Sequence, residues 1–151
     1  MTKAFEILRK EHEQVLKVLD KLENNLNENN LSSAKKNIKL LEEEFDKHSL
    51  YKEEKILFPE IEKFIPRDGG PTGVMITEHK ELIELMRNFN KLLEEKNLSR
   101  LNETGMSIIN ILREHINKED NMLFMIADMH LSEKQKKSVL ERFKKIDEKK
   151  R

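Results

Sequence analysis

The sequence predicts an all-α protein: an antiparallel up-down-up-down four-helix bundle with an additional short C-terminal helix. Three observations carry that expectation. Apolar residues recur at steps of three and four along four long stretches, the stripe that a helix turns towards a bundle core. Only four glycines and three prolines interrupt 151 residues, of which 38% are charged, a composition typical of helices. The breaks between the first and second stretches and between the third and fourth are short, and the long one lies between the two pairs. Consecutive helices therefore pack as antiparallel neighbours.

The first seam runs Phe5, Leu8, His12, Val15, Leu19, Leu22 and Leu26, with Thr2 as the expected cap. Asn27 to Asn30 is a turn, after which Ser32 or Ser33 caps the second helix. That helix begins with Leu31, Ala34, Ile38, Leu41, Phe45 and His48 inside. Continuing in phase would bury Lys52, Lys55, Pro59 and Glu62, which is implausible. One residue on, the seam becomes Glu53, Leu57, Ile61 and Phe64, so one extra residue is absorbed between His48 and Glu53 as a π-bulge. Without a bulge, five residues turn Glu53 about 140° away from His48, against about 40° for a four-residue step. Pro59 then kinks the helix near its end. Pro66 to Gly73 is the longest loop.

The third seam runs Met75, His79, Leu82, Met86, Phe89 and Leu93, followed by a turn near Asn97 with Ser99 as its cap. The fourth runs Leu101, Gly105, Ile108, Leu112, His115, Glu119, Met122 and Ile126 without interruption. Beyond His130, read as a surface or capping residue, Ser132 and Gln135 form a capping box. The last helix has a thin stripe, Val139, Phe143 and Ile146, suited to fold over the bundle end or to meet another subunit. Its tail, Lys144 to Arg151, is mostly charged and is expected to fray.

Lys+Arg and Asp+Glu both number 29, so the formal net charge is zero. That argues against nucleic acid or an anionic membrane as the partner, since both call for a basic surface. No apolar run approaches the roughly 18 residues of a spanning helix, and no signal peptide is recognisable, so the cytosol is the expected compartment. With no cysteine there is no disulfide, thiolate zinc site or iron–sulfur cluster.

Chemistry concentrates on the seams. His12, His48, His79 and His115 fall on four separate helices at positions where leucine would be expected. His48 follows His12 by 36 residues, and His115 follows His79 by the same 36. Around the first of each pair the chain reads Glu11-His12-Glu13-Gln14-Val15-Leu16 and Glu78-His79-Lys80-Glu81-Leu82-Ile83, a duplicated two-helix unit. An unpaired buried polar group costs roughly 1–3 kcal/mol. One buried histidine is more often a hydrogen-bonded core residue than a ligand; four at duplicated spacing are better explained by metal.

Glu53 and Glu119 follow their histidines by about one turn, just before Leu57-Phe58 and Leu123-Phe124. The histidines repeat at 67 residues but these pairs repeat at 66, which independently places the extra residue in the second helix. Four imidazoles and two bridging carboxylates can hold two metal ions, suiting iron or manganese, and zinc less specifically. Glu54 and Asp120 are the alternates for the carboxylates. Tyr51, the only tyrosine, lies within the slipped turn and could face the site, but is read as a packing or surface residue. A ferritin-like store would carry Glu-x-x-His, but Arg9, Phe45, Ile76 and Leu112 stand three before the histidines. A bundle with merely hydrogen-bonded histidines, or with a structural zinc, is the remaining class.

From Phe5 to about Ile126 the chain resembles the hemerythrin-like (HHE) family, through Glu11-His12, His48 to Pro59, Glu78-His79 and His115-Ile116-Asn117-Lys118-Glu119. The resemblance makes residues 1–130 the bundle domain and 131–151 a C-terminal helix and tail. It implies two non-haem irons per chain, bridged by the two carboxylates and by an oxo or hydroxo oxygen, reacting with O2, NO or peroxide. The expected partners are those small molecules, with the protein a monomer or a weak homodimer through its C-terminal helix. Two departures stand out. The first His…Glu spacing is one residue longer than the family's His-x3-Glu, which leaves Glu53 and Glu54 both open. Met75 stands where oxygen-carrying hemerythrins bear an extra histidine. The pattern is therefore closer to relatives linked to nitrosative stress, iron-cluster repair or redox and iron sensing than to a reversible O2 carrier.

Overall fold

The computed structural model describes residues 2–149, and its helices pair as the seams require. Helix α1 spans Lys3–Asn27. Helix α2 occupies residues 31–61, as a regular stretch Leu31–Phe45, a π-helical stretch Asp46–Leu57 and a closing turn Phe58–Ile61. Helix α3 spans Pro71–Glu95. Helix α4 occupies residues 98–130, with Leu98–Lys118 regular, Glu119–Leu123 π-helical and Phe124–His130 regular again. Helix α5 spans Glu133–Lys149.

Contacts at both ends of the helices fix the directions. Glu119 of α4 meets His12 near the start of α1, while Gly105 meets Leu26 near its end, so α1 and α4 are antiparallel. Glu54 bonds His79 and Glu42 bonds Asn90, so α2 and α3 run oppositely as well. At Gly105 a Cβ would lie 2.5 Å from Leu26 Cδ1 and 3.0 Å from Phe89 Cε2, and the missing side chain lets these helices approach.

Two apolar clusters fill the bundle. One holds Leu19, Leu22, Ile38, Leu41, Phe89 and Ile108 towards the short connections. The other holds Phe5, Leu8, Leu57, Phe58, Met75 and Phe124 towards the opposite end. On each helix the candidate site residues fall between the two clusters: after Leu8 on α1, after Phe45 on α2, after Met75 on α3 and after Leu112 on α4. A fully buried Leu or Phe contributes about 1.5–3 kcal/mol, so clusters of this size can support a polar layer between them.

The two short connections are copies of one another. Asn29 and Lys96 are left-handed, with φ of 53° and 56°. The next residues close each helix by donating backward, Asn30 N to Asn25 O at 2.8 Å and Asn97 N to Leu92 O at 3.2 Å. The same asparagines cap the following helices, accepting from Ser33 N and Arg100 N. The caps are thus Asn30 and Asn97 rather than Ser32, Ser33 or Ser99, because one asparagine can both end a helix and start the next. Thr2 precedes α1, but its hydroxyl donates to Asp128 Oδ1 at 2.9 Å instead of capping. The long loop ends sooner than expected, since Pro71 starts α3, where its missing N–H costs nothing.

The first seam is buried throughout, and the slip in α2 is present, with Glu53, Leu57 and Ile61 all inside. The irregularity covers more than one turn, running Asp46–Leu57 up to the junction with Pro59. Lys55 and Pro59 are exposed, but Lys52 is fully buried, against expectation, because Glu11 and Asp147 neutralise it. In α3 the last inward leucine is Leu92 rather than Leu93.

Helix α4 departs more. It is regular through His115, but π-helical pairing over Glu119–Leu123 shifts the seam, and Leu123, Phe124 and Ala127 are buried. Met122, expected inside, is 62% exposed, and Ile126 is only half-buried. Ser132 and Gln135 exchange the two bonds of a capping box, and Val139 and Phe143 of α5 fold onto the bundle end. The helix runs to Lys149; the last two residues of the tail lie outside the described residues.

Candidate metal centre

The six polar residues of the seams converge in one dry layer. His12, His48, His79 and His115 come one from each bundle helix, and Glu53 and Glu119 from α2 and α4; none is more than 4% exposed. They form two groups able to hold a metal ion, His12, His48, Glu53 and Glu119, and Glu53, His79, His115 and Glu119, each with its ligand atoms within 4.8 Å of one another. Both carboxylates belong to both groups. His12 Nε2 lies 3.1 Å from Glu119 Oε1, and His48 Nε2 3.1 Å from Glu53 Oε2. His79 Nε2 lies 3.2 Å from Glu53 Oε1, and His115 Nε2 3.4 Å from Glu119 Oε1.

Two details mark these atoms as donors to something absent from a purely proteinaceous core. Glu119 Oε2 is buried without a hydrogen bond, and Glu53 Oε1, which also makes none, has only the charge of His79 Nε2 beside it at 3.2 Å. The Nε2 atoms of His79 and His115 face each other at 3.2 Å. A buried carboxylate oxygen left unpaired is costly, and a cation between the carboxylates and imidazoles removes that cost. The mixed nitrogen and oxygen donors fit a divalent transition metal.

The outer ring nitrogen of each of these four histidines meets a carboxylate. His12 Nδ1 lies 2.8 Å from Asp120 Oδ1, His48 Nδ1 2.8 Å from Glu11 Oε1, His79 Nδ1 2.6 Å from Glu54 Oε2 and His115 Nδ1 2.7 Å from Glu78 Oε1. Each acid is the immediate neighbour of an inner residue: Glu11 and Glu78 precede histidines, while Glu54 and Asp120 follow glutamates. Glu54 and Asp120, the alternates for the inner carboxylates, lie outside the ring of Nε2 atoms and orient imidazoles instead. The sequence held the signal, an acid beside each inner residue repeated in both halves, but its role emerges only when the helices are juxtaposed.

A further ring of cations sits behind the acids. Lys52 donates to Glu11, and Lys118, its counterpart 66 residues on, donates to Glu78 at 2.6 Å. Arg9 donates to the carbonyl of Asp120. Burial alone would lower the histidines, yet the carboxylates outweigh it: Glu53 and Glu11 push His48 up to about 10, and Glu119 and Glu78 push His115 up to about 10. Burial would raise Glu119, but the neighbouring His115 holds it well below the usual carboxylate range. With no metal, the layer is a cage of charge pairs.

Phenylalanines wall the layer. His12 stacks on Phe124 at 5.5 Å and His79 on Phe58 at 6.1 Å, with Phe45 edge-on to His79 at 5.4 Å. Phe58 and Phe124 are the aromatics of the duplicated Leu-Phe pairs, each stacked on a histidine of the opposite half. Beside His12, His48 and His115 lies a cavity with room for about one water-sized molecule, walled by Val15, Leu41, Phe45, Leu112 and Ile116, with Glu44 and Ser49 at its polar edge.

The remaining residues fall outside the layer. His130 is exposed at the end of α4 against Phe64, and Tyr51 is exposed beneath the Lys55 ammonium. Met75 is buried one turn before His79.

In comparison with protein families, the family described as hemerythrin HHE cation binding domain matches residues 3–127. No curated protein and no solved structure matched the chain.

Proposed function

The chain belongs to the hemerythrin HHE cation-binding domain family, and from that premise we propose that it is a non-haem diiron protein that binds or reacts with a small oxidant, O2, NO or peroxide. The observation that carries the reading is the sharing of Glu53 and Glu119 between two groups of potential ligands, which suits two ions joined by the carboxylates. In this reading His12 and His48 serve one ion and His79 and His115 the other. Manganese or zinc could use the same donors. Bound there, a pair of irons supplies one-electron redox steps and exchangeable positions for a small ligand.

The chain's own residues prepare that chemistry. The acids on the four Nδ1 atoms fix the rings and strengthen Nε2 as a donor. Phe58 and Phe124 cover the layer with apolar surface, and the neighbouring cavity, with room for about one water-sized molecule, suits a small ligand. Met75 offers a soft thioether, a poor ligand for iron in an oxygen-rich site, so it would leave positions exchangeable if two irons were held by the six residues. That favours oxidant handling or sensing, as in redox or nitrosative stress response and iron-cluster repair, over reversible O2 transport.

No helix among the described residues is long and apolar enough to cross a membrane. The formal net charge is zero, which supports a protein working without nucleic acid or an anionic membrane, and Val139 and Phe143 are spent on the bundle, which supports a monomer or a weak homodimer; we place it in the cytosol. Metal analysis with an anaerobic optical spectrum tests the reading. Protein made with iron should hold close to two irons per chain, and His115→Ala should lose much of it. A chain indifferent to iron, and equally stable with alanine at all four histidines, would refute it.

A further inference from the structure

The two halves of the centre share a relay of three residues, Lys52–Glu11–His48 in one and Lys118–Glu78–His115 in the other. They differ in what lies behind the lysine. The Lys118 side chain is 39% exposed, so water shares its charge. Lys52 is fully buried, because α5 lies across it: Asp147 Oδ1 accepts from its Nζ at 2.8 Å, and the Phe143 ring centroid is 5.8 Å from the same nitrogen. Lys47 completes the cluster, 3.1 Å from Asp147 and 3.8 Å from Glu11. Helix α5 lies beyond residues 3–127, the part matched by the family. An element outside the shared domain thus inserts a carboxylate behind one of four metal-facing histidines.

We propose that Asp147, acting through Lys52 and Glu11, is a positioning residue for His48, so that α5 makes the two halves of a duplicated metal centre unequal. The inference rests on the diiron reading above. A buried ammonium with one carboxylate partner draws that carboxylate towards itself. Here Asp147 shares the charge of Lys52 and Lys47, and Glu11 remains a full acceptor for His48 Nδ1–H. A stronger acceptor on Nδ1 makes Nε2 a better metal donor and fixes the ring. The ion served by His12 and His48 would therefore be held behind a relay whose ammonium is desolvated, and the ion served by His79 and His115 behind one whose ammonium is shared with water.

The test is release of iron from the anaerobic ferrous protein to an excess of a chromogenic Fe(II) chelator, after iron content has been measured. Two phases are expected from the native chain. Asp147→Asn, isosteric at a position 38% exposed, should speed the slower phase about tenfold and leave the faster one in place. Asp147→Glu should restore the slower phase, while Lys118→Met should alter the faster phase alone. Thermal unfolding of the metal-free variants separates this from a structural role. If Asp147→Asn lowers the metal-free Tm and speeds both phases alike, or changes neither, the inference fails; release of both irons in one phase from the native chain also overturns it. A chain that takes up no iron overturns the diiron reading as well, whereas identical release from native and Asp147→Asn protein overturns only this inference.

Discussion

Glu54 Oε2 lies 2.6 Å from His79 Nδ1, while Glu53, the preceding residue, presents Oε1 to the other nitrogen of the same ring at 3.2 Å. Adjacent carboxylates thus take opposite sides of one imidazole. The π-helical stretch makes this possible by carrying both residues round from His48. Glu54→Gln should keep iron but bind it about 10–100-fold more weakly, whereas Glu53→Gln should lose most of it. Chelator competition on both variants checks this. Equal losses would mean that the two acids share one role.

Protonation should govern the metal-free protein. His48 and His115 sit at about 10 in the fold against 6.5 unfolded, and His12 and His79 are raised too. A raised value means that the proton favours the folded state. That stabilisation is complete below about 6.5 and is lost as pH climbs towards about 10. Glu119, held low, acts at the other end: its contribution is present above 4.5 and is lost as pH falls. Urea titrations of metal-free protein should therefore weaken steadily from neutral to alkaline pH. The iron-loaded form, whose Nε2 atoms carry no proton, should not show that decline. A flat profile for the metal-free chain would contradict the charge-pair cage.

In the diiron reading, Met75 would decide how many positions stay open. Buried 4 residues before His79, it occupies the same helix face. The diferrous protein should take up more than one NO per pair and be oxidised, not reversibly oxygenated, by air. Met75→His should reduce the NO stoichiometry towards one. Anaerobic NO titration followed by aeration and degassing reads both. Clean recovery of the native diferrous spectrum on degassing would instead mean an oxygen carrier.

Phe143 anchors α5 with none of its surface exposed. Phe143→Ala should cost about 3–5 kcal/mol in chemical denaturation, through the lost burial and the cavity left beside Lys52. A cost below about 1 kcal/mol would show that α5 is not integral to the bundle.

The sequence was legible where one residue type excluded the alternative. In α2 an unshifted seam would have buried Lys55 and Pro59, so the slip could be inferred, although the accompanying exclusion of Lys52 was mistaken. In α4 the equivalent slip left no trace, because Met122 and Leu123 are both apolar and either could face inward. The structure puts Leu123 inside and leaves Met122 62% exposed.

By itself the sequence determined the helices, their pairing and the convergence of four histidines and two glutamates, because apolar periodicity is local to each helix and a duplication is visible when the chain is compared with itself. Tertiary structure alone decided which acids face the imidazoles from outside, since His79 with Glu54 and His115 with Glu78 are neighbours only across a helix interface. It also decided that a lysine can lie in the core: Lys52 is 0% exposed because Glu11 comes from 41 residues before it and Asp147 from 95 residues after it. A buried charge is stable only beside its partners, and no local pattern announces partners that far along the chain.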